Sequence, residues 1–150
     1  MHHFNRREDR LFAENVDVTA LAERIGTPFY CYSTATLRQH YTRLKDAFAQ
    51  NEVTICYSVK ANSNLGVIAT LADLGSGADV VSEGELRRAL LSGIPAEKIV
   101  FSGVGKTEAE MTYALNADIA QFNVESRAEL EQLSEVATKQ GKTARISLRV

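Results

Sequence analysis

Lys60 closes an apolar segment of the sequence, where a lysine is an unusual residue. Residues 53–57 (VTICY) are typical of a buried strand, and Lys60 follows in the motif Tyr57-Ser58-Val59-Lys60-Ala61-Asn62. A lysine at the mouth of such a strand is expected to be half desolvated, which favours the neutral amine over the ammonium. A neutral, fixed amine is what a Schiff base with a carbonyl compound requires. The motif therefore indicates Schiff-base chemistry, and a surface lysine that caps a strand is the alternative.

Two further charged residues interrupt apolar segments. Asp79 lies in the strand-like residues 78–81 (ADVV), although aspartate is disfavoured inside strands and needs a partner there. If this strand is a neighbour of the one before Lys60, its carboxylate could stabilise a protonated amine or Schiff base. Arg149 lies in residues 146–150 (ISLRV), and its guanidinium must reach either solvent or an anion. Spacing alone does not decide between these two.

Strands and helices must alternate to position these residues. Beyond residue 25 the pattern is a short β-rich segment, a turn and an amphipathic helix. Three Ser/Thr-x-x-Glu capping boxes open helices directly after strands. Such alternation predicts right-handed βαβ units and a parallel sheet, with Lys60 at the carboxyl ends of the strands, where α/β folds place their active sites. The predicted strands are 29–33, 53–57, 78–81, 99–102, 119–124 and 145–150, and the capping boxes begin at Ser82, Thr107 and Ser126.

Two α/β architectures fit this pattern. One is a complete doubly wound domain of about five strands, and the other is the first part of a parallel (β/α)8 barrel of the TIM type. The last predicted strand has no helix after it, which favours the truncated barrel. Residues 26–150 are therefore predicted to be the N-terminal part of such a barrel. Residues 1–25 form a separate, more charged segment with a possible strand at 11–14 and a helix at 18–25.

The composition excludes several classes of partner. With 45% hydrophobic and 24% charged residues, the chain resembles an ordinary globular domain. Its net charge of -2 gives no reason to expect nucleic acid or an anionic membrane as partner, and no apolar segment is long enough to span a bilayer. The histidines are too few for a metal site. The two cysteines, Cys31 and Cys56, are expected to be buried, reduced thiols of a cytoplasmic protein.

Residues 102–107 (SGVGKT) end like a nucleotide-binding P-loop. That motif requires a glycine five positions before Gly105, and the residue there is Val100. The spacing therefore fails, and a turn between a strand and a helix accounts for the two glycines. No dinucleotide-binding G-x-G-x-x-G sequence follows a strand either.

Taken together, these segments resemble the bacterial diaminopimelate decarboxylases, which are barrel-type enzymes of the fold-type III pyridoxal-phosphate decarboxylase family. The resemblance extends along essentially the whole chain. The lysine motif followed by Gly-Ala-Asp-Val-Val-Ser is its most specific part, because related alanine racemases continue differently after their lysine. The matching segments are Met1–Phe4, Gly26–Tyr30, Tyr57–Asn64, Gly75–Ser82 and Phe122–Ser126.

The resemblance implies a cofactor and roles for three residues. Lys60 is implied to form the Schiff base with pyridoxal 5'-phosphate and to be released from it by the amine of the substrate. Asp79 is implied to lie close to this lysine and the cofactor, and Arg149 to join the polar network on the ring side of the cofactor. Residues 1–25 are implied to belong to a β-rich second domain that the far end of a longer chain completes.

The resemblance also implies a reaction, the decarboxylation of meso-2,6-diaminopimelate to L-lysine and CO2 by a homodimeric enzyme, as the last step of lysine biosynthesis. The family's phosphate-binding loops, stacking histidine, acid at the pyridine nitrogen and proton-donating cysteine all come from later sequence. Residues 1–150 alone are therefore expected to be inactive. Two alternatives stay open: a decarboxylase for another basic amino acid or a carboxylated polyamine, and a non-catalytic regulator that kept the barrel.

Overall fold

The chain divides into two compact units. The computed structural model describes residues 2–150, and the units are Met1–Ala49 and Gln50–Val150. No helix among residues 2–150 is long and apolar enough to cross a membrane. The same residues contain no cluster of three or more histidine, cysteine, aspartate or glutamate side chains that could hold a metal ion.

The first unit contains a small antiparallel sheet and two helices. Its strands pair in the order β1-β2-β3, and both helices begin at a capping side chain, Asp17 for α1 and Ser33 for α2. The predicted helix at 18–25 is confirmed, and the predicted strand at 11–14 corresponds to β2. The elements are β1 (Phe4–Arg7), β2 (Arg10–Ala13), β3 (Val16–Asp17), α1 (Val18–Ile25) and α2 (Thr34–Ala47).

Residues 29–33 were predicted to form a strand, and this prediction is wrong. The segment forms neither a strand nor a helix, and Tyr30 is 90% exposed. A strand exists only where a neighbouring strand pairs with its backbone, and no other segment of residues 2–150 pairs with this one. The apolar and aromatic composition of the segment indicates β-propensity, but a strand does not form because the segment has no partner strand among residues 2–150.

Glu14 fixes the start of α2 within this first unit. Its carboxylate accepts hydrogen bonds from the Ala35 backbone N–H (2.9 Å) and the Ser33 hydroxyl (2.7 Å). These two bonds, the backbone one first, lower the pKa of the Glu14 carboxyl from its ordinary value. The carboxylate therefore connects the loop after β2 to the N-terminal end of a helix, where negative charge is favourable.

The second unit alternates strands and helices throughout. Five parallel strands are joined by helices, and two short 3₁₀ turns, Val59–Ala61 and Ala96–Lys98, complete the connections. The elements are β4 (Cys56–Ser58), α3 (Leu65–Ala72), β5 (Gly77–Val80), α4 (Glu83–Leu91), β6 (Ile99–Phe101), α5 (Glu108–Ala117), β7 (Gln121–Val124), α6 (Arg127–Lys139) and β8 (Ile146–Leu148).

The strand order decides between the two predicted architectures. The strands lie side by side in the order β4-β5-β6-β7-β8, and each pair is parallel. A doubly wound sheet reverses direction at a switch point, whereas a (β/α)8 barrel adds every strand on the same side as the last one. The sequential order therefore fits the first part of a barrel, and the predicted α/β fold class is confirmed.

The two faces of this sheet differ in polarity. One face carries large apolar side chains that the helices cover, and Phe101 and Phe122 stack there with ring centroids 6.1 Å apart. The opposite face carries the alternate residues of the same strands, which are mostly polar. The buried side chains of the covered face include Val59, Ala78, Val80, Ile99, Phe101, Phe122 and Val124.

Gly77 begins β5 at a position where the chain has no space for a side chain. A Cβ atom there would overlap the carbonyl oxygen of Lys98 and lie 2.9 Å from the Cys56 sulfur. Gly77→Ala is therefore expected to destabilise the protein by about 1–3 kcal/mol, as overpacking does elsewhere. Urea unfolding measures this change in the free energy of unfolding.

Gly84 provides the matched control for that substitution. It lies in the first turn of α4, and a Cβ there would meet nothing closer than the Ser82 hydroxyl at 3.9 Å. Gly84→Ala is expected to leave the stability unchanged or to raise it by up to about 1 kcal/mol, because alanine is the better helix former. Equal effects of the two substitutions would contradict the close approach at Gly77.

Candidate active site at the carboxyl end of the parallel sheet

Lys60 lies in the 3₁₀ turn that directly follows β4. The Asn62 backbone N–H closes this turn by donating to the Val59 carbonyl oxygen (3.1 Å), and the Tyr57 hydroxyl donates to the Asn62 carbonyl oxygen (3.1 Å). Asn64 then caps α3 by accepting from the Gly66 N–H (2.8 Å). The turn that carries Lys60 is therefore fixed by hydrogen bonds at Asn62 and Asn64, directly after the lysine.

The Lys60 side chain itself is exposed. Its neighbour Val59 is fully buried among the core side chains, so the turn directs one residue into the core and leaves the next in solvent. No residue among 2–150 forms a hydrogen bond or an ion pair with the Lys60 amine. Lys60 was predicted to be half desolvated, and this prediction is wrong: no residue among 2–150 covers its side chain.

Asp79 lies on β5, beside the strand that leads to Lys60. The parallel register places Asp79 opposite Ser58, two residues before the lysine. Its two carboxylate oxygens accept hydrogen bonds from two different hydroxyls, Ser102 at 2.5 Å and Ser58 at 3.4 Å. The predicted need of this strand aspartate for partners is met by serines on both adjoining strands.

The hydrogen bonds continue from Asp79 across the sheet. The Asn123 amide donates to the Ser102 oxygen (2.9 Å), and the Gln121 amide donates to the Asn123 side-chain oxygen (2.9 Å). Ser58, Asp79, Ser102, Asn123 and Gln121 thus form a continuous line over four neighbouring strands, the polar row. Sequence reasoning missed Ser102 and Asn123, although the alternation of polar and apolar residues in β7 (QFNV) was a usable sign.

Arg149 follows β8 at the same end of the sheet. Its backbone N–H donates to the Val124 carbonyl oxygen (2.9 Å), and its guanidinium lies 3.7 Å from the Glu125 carboxylate while 65% of the side chain stays exposed. Arg149 forms no hydrogen bond with Asp79. Both residues nevertheless line one open concavity of about 470 Å³ over the polar face, together with Ser102, Asn123 and Ser147.

Lys106 is a second lysine at this end of the sheet, and it is wholly buried. Its amine donates to the Gly103 carbonyl (2.7 Å), the Asn123 carbonyl (2.8 Å) and the Glu129 carboxylate (2.6 Å). These three acceptors use all three of its hydrogens. Lys106 therefore joins the loop after β6 to β7 and α6, which gives a structural role to the lysine of the rejected P-loop motif.

Glutamates occupy the N-terminal ends of three helices beside the polar row. Thr107 and Glu110 form a complete capping box at α5, as predicted. At α4 and α6 the predicted serine caps are present, but Glu85 and Glu129 accept from the residue before the cap, Val81 (2.9 Å) and Glu125 (3.2 Å). The chain's own side chains therefore satisfy backbone donors at these helix ends.

The pKa of the Cys56 thiol on β4 depends in part on the charge of Asp79. Burial, and then the negative charge of Asp79, raise the pKa of the Cys56 thiol above its ordinary value. Alkylation of Cys56 by iodoacetamide should therefore accelerate only at a pH above that of an ordinary thiol. Asp79→Asn is expected to lower the thiol pKa and shift the alkylation profile to lower pH.

Cys31, also a free thiol, serves as the internal control in the same sample. The two alkylated peptides are quantified separately by mass spectrometry across the pH range. The expected result is that Asp79→Asn moves the Cys56 profile and leaves the Cys31 profile unchanged. An unchanged Cys56 profile would mean that no carboxylate charge at Asp79 acts on β4.

Comparison with known proteins identifies the family. Residues 34–150 match the family model of the pyridoxal-dependent decarboxylases, pyridoxal binding domain. The chain is 54% identical over 151 residues to the diaminopimelate decarboxylase of Vibrio cholerae and 50% identical over 150 residues to that of Pseudomonas aeruginosa. The alignments cover 100% of this chain but 36% of each relative, so the chain spans about a third of their length.

Solved structures agree with this assignment. A crystal structure of diaminopimelate decarboxylase from M. jannaschi superimposes with a TM-score of 0.95 at 40% identity, over 99% of this chain and 36% of that chain. The Helicobacter pylori enzyme in complex with L-lysine gives a TM-score of 0.86 at 45% identity, over 89% and 34%. The resemblance that the sequence motifs predicted is confirmed, and the chain belongs to the pyridoxal-dependent decarboxylases, whose pyridoxal binding domain residues 34–150 match.

Proposed function

We propose that this chain acts within a longer protein, of about the length of its relatives, that decarboxylates meso-2,6-diaminopimelate to L-lysine and CO2. One observation carries the proposal: Lys60 has an exposed amine without a partner among residues 2–150, and it lies two residues after Ser58 of the polar row. Identity of about 50% to diaminopimelate decarboxylases along the whole chain supports this substrate over others.

Pyridoxal 5'-phosphate fits the residues at this site. Of the two lysines near the polar row, Lys106 has all three hydrogens bound inside the protein, so Lys60 is the amine available to a carbonyl ligand. Asp79 and Arg149 line the concavity over the polar row and would provide a negative and a positive group. When bound, the cofactor supplies the electron sink for the loss of the carboxylate.

The roles of the three residues follow from their chemistry. Lys60 must lose a proton before its nitrogen can bind a carbonyl carbon, and it must take up a proton when a substrate amine displaces it. We propose that Asp79, on the neighbouring strand, stabilises the protonated state of that amine. Arg149 offers the hydrogen bonds of its guanidinium to anionic groups of a ligand.

We propose that the phosphate group is held mainly by residues outside this chain. The helix N-termini of α4, α5 and α6 would be natural phosphate sites, but glutamate side chains already accept from N–H groups there. Residues 1–150 alone are accordingly expected to show no turnover of diaminopimelate. Measurable turnover by these residues alone would contradict this part of the proposal.

We also propose the compartment, the assembly and the domain organisation of the full-length protein. Two free cysteines support a reducing, cytoplasmic compartment. The homodimer implied by the family resemblance is kept as the expected assembly. The small antiparallel sheet β1–β3 supports the proposal that residues 1–25 belong to a β-rich domain, and we propose that the barrel begins at residue 26.

A substrate panel tests the proposed function. The full-length protein, loaded with pyridoxal phosphate, is supplied separately with meso-diaminopimelate, L-lysine, L-ornithine, L-arginine and a carboxylated polyamine, and CO2 release is measured. Release from meso-diaminopimelate, with L-lysine as product, is the expected result. Preferential release from another basic amino acid or a carboxylated polyamine would replace the substrate. Release from none of them would favour the non-catalytic regulator.

A further inference from the structure

The hydrogen bonds of the polar row all lead to Asp79. Gln121 donates to Asn123, Asn123 donates to Ser102, and Ser102 donates to Asp79. Ser58 donates to the other carboxylate oxygen of Asp79 from the opposite side. Asp79 is therefore the terminal acceptor of the row, and both of its oxygens are directed by neighbours on adjoining strands.

The two residues that precede Asp79 in the row, Ser102 and Asn123, are themselves held through their own backbone atoms. The Ser102 backbone N–H donates to the Val80 carbonyl (2.8 Å), which fixes Ser102 against the strand of Asp79. The Asn123 carbonyl accepts from the buried amine of Lys106 (2.8 Å). Only 6% of Ser102 is exposed, so few other rotamers are open to its hydroxyl. The donors that meet Asp79 are thus preorganised.

We propose that Ser102 and Asn123 are positioning residues that hold the Asp79 carboxylate in the orientation in which it serves the Lys60 amine. This inference rests on the proposed function, because it assigns the two residues a task only if Lys60 binds the cofactor. Neither residue touches Lys60. Their effect passes through Asp79, which lies on β5 between Ser102 and Ser58, and Ser58 belongs to the strand that leads to the lysine.

The competing explanation is that Ser102 has a purely structural role. The energetic coupling between Ser102 and Asp79 distinguishes this explanation from the positioning role. If Ser102 only fills space, its replacement should have the same effect with or without the carboxylate. If it positions Asp79, its effect should vanish once the carboxylate is gone. A double-mutant cycle between Ser102 and Asp79 measures this difference.

The test follows attachment of pyridoxal phosphate to Lys60 in the full-length apoprotein. The reaction is stopped with borohydride at set times, and the labelled Lys60 peptide is quantified by mass spectrometry. The Lys60 nitrogen forms the bond to the aldehyde carbon, water leaves, and hydride from borohydride then makes the bond permanent. The rate constant of this labelling is independent of turnover.

The variants are Ser102→Ala, Ser102→Thr, Asn123→Ala, Asp79→Asn and the double variants with Asp79→Asn. Ser102→Ala is expected to slow labelling about tenfold, the size of one lost hydrogen bond to a charged group. Ser102→Thr keeps the hydroxyl and should restore the rate.

Asn123→Ala should slow labelling by a smaller factor, about threefold, since the Ser102 hydroxyl survives. In the Asp79→Asn background neither replacement should matter by more than about twofold.

Ser134→Ala is the matched control, because Ser134 is exposed on α6 and its side chain forms no hydrogen bond within residues 2–150. Thermal unfolding verifies that each variant is folded, and the Asn123 cycle replaces the Ser102 cycle if Ser102→Ala is not.

Equal effects in both Asp79 backgrounds, or no difference from Ser134→Ala, would overturn the inference. No labelling of Lys60 in the unaltered protein would instead refute the proposed function, and the positioning role with it.

Discussion

Lys60→Arg is expected to lower kcat for diaminopimelate by at least about 10³-fold in the full-length protein. Arginine keeps the positive charge and most of the length of the side chain, but its guanidinium stays protonated and cannot bind a carbonyl carbon. The size of the loss reflects the removal of a fixed nucleophile from the reacting site. Steady-state CO2 release measures kcat, and the absorbance of bound cofactor shows whether binding survives.

Lys139→Arg is the control for this substitution. Lys139 ends α6 on the exposed surface, so the same chemical change there should leave kcat within about twofold of the unaltered protein. If Lys60→Arg retained more than a tenth of the activity, the amine would not be the group that holds the cofactor. The assignment of Lys60 would then be wrong.

Lys106→Met is expected to destabilise the protein by about 3–5 kcal/mol. The substitution keeps the volume of the side chain but removes the only cation beside the buried Glu129 carboxylate among residues 2–150, and an unpaired buried charge is strongly unfavourable. The Gly103 and Asn123 carbonyls lose a donor as well. Urea unfolding of the unaltered and substituted proteins gives the difference in the free energy of unfolding.

The exposed pair Arg127–Glu131 provides the comparison. Its atoms are 2.8 Å apart, but 91% and 62% of the two side chains are exposed, so Arg127→Met should change stability by less than about 1 kcal/mol. Lys106→Met combined with Glu129→Leu should recover part of the loss, because no charge is left buried. A Lys106→Met variant that is no less stable than Arg127→Met would contradict the structural role of Lys106.

The parallel sheet could be predicted from the sequence because each strand and helix carries a local sign. The helix at residues 18–25 was predicted with its observed bounds, and the capping serines and threonine marked where α4, α5 and α6 begin. Strand ends were less certain by one to three residues, since pairing with neighbours sets them. The strand predicted at residues 29–33 failed for that reason: composition indicates β-propensity, but only a partner makes a strand.

The candidate site was predictable only in part. Lys60 and Asp79 stood out because charged residues in apolar segments are conspicuous. Ser102, Asn123 and Lys106 did not, because serine and asparagine are ordinary turn residues and a lysine in a glycine-rich loop is normally solvated. Their importance depends on contacts between residues 17 to 23 positions apart, which the sheet order creates and local patterns do not encode.

Borohydride trapping at Lys60 tests the central claim most directly. The full-length protein is incubated with pyridoxal phosphate, reduced with borohydride, digested, and mapped by mass spectrometry. The predicted result is a phosphopyridoxyl group confined to the peptide that contains Lys60, with Lys106 unmodified. A protein that binds the cofactor but carries the label at another lysine, or at none, would contradict the assignment of Lys60 as the cofactor-binding amine.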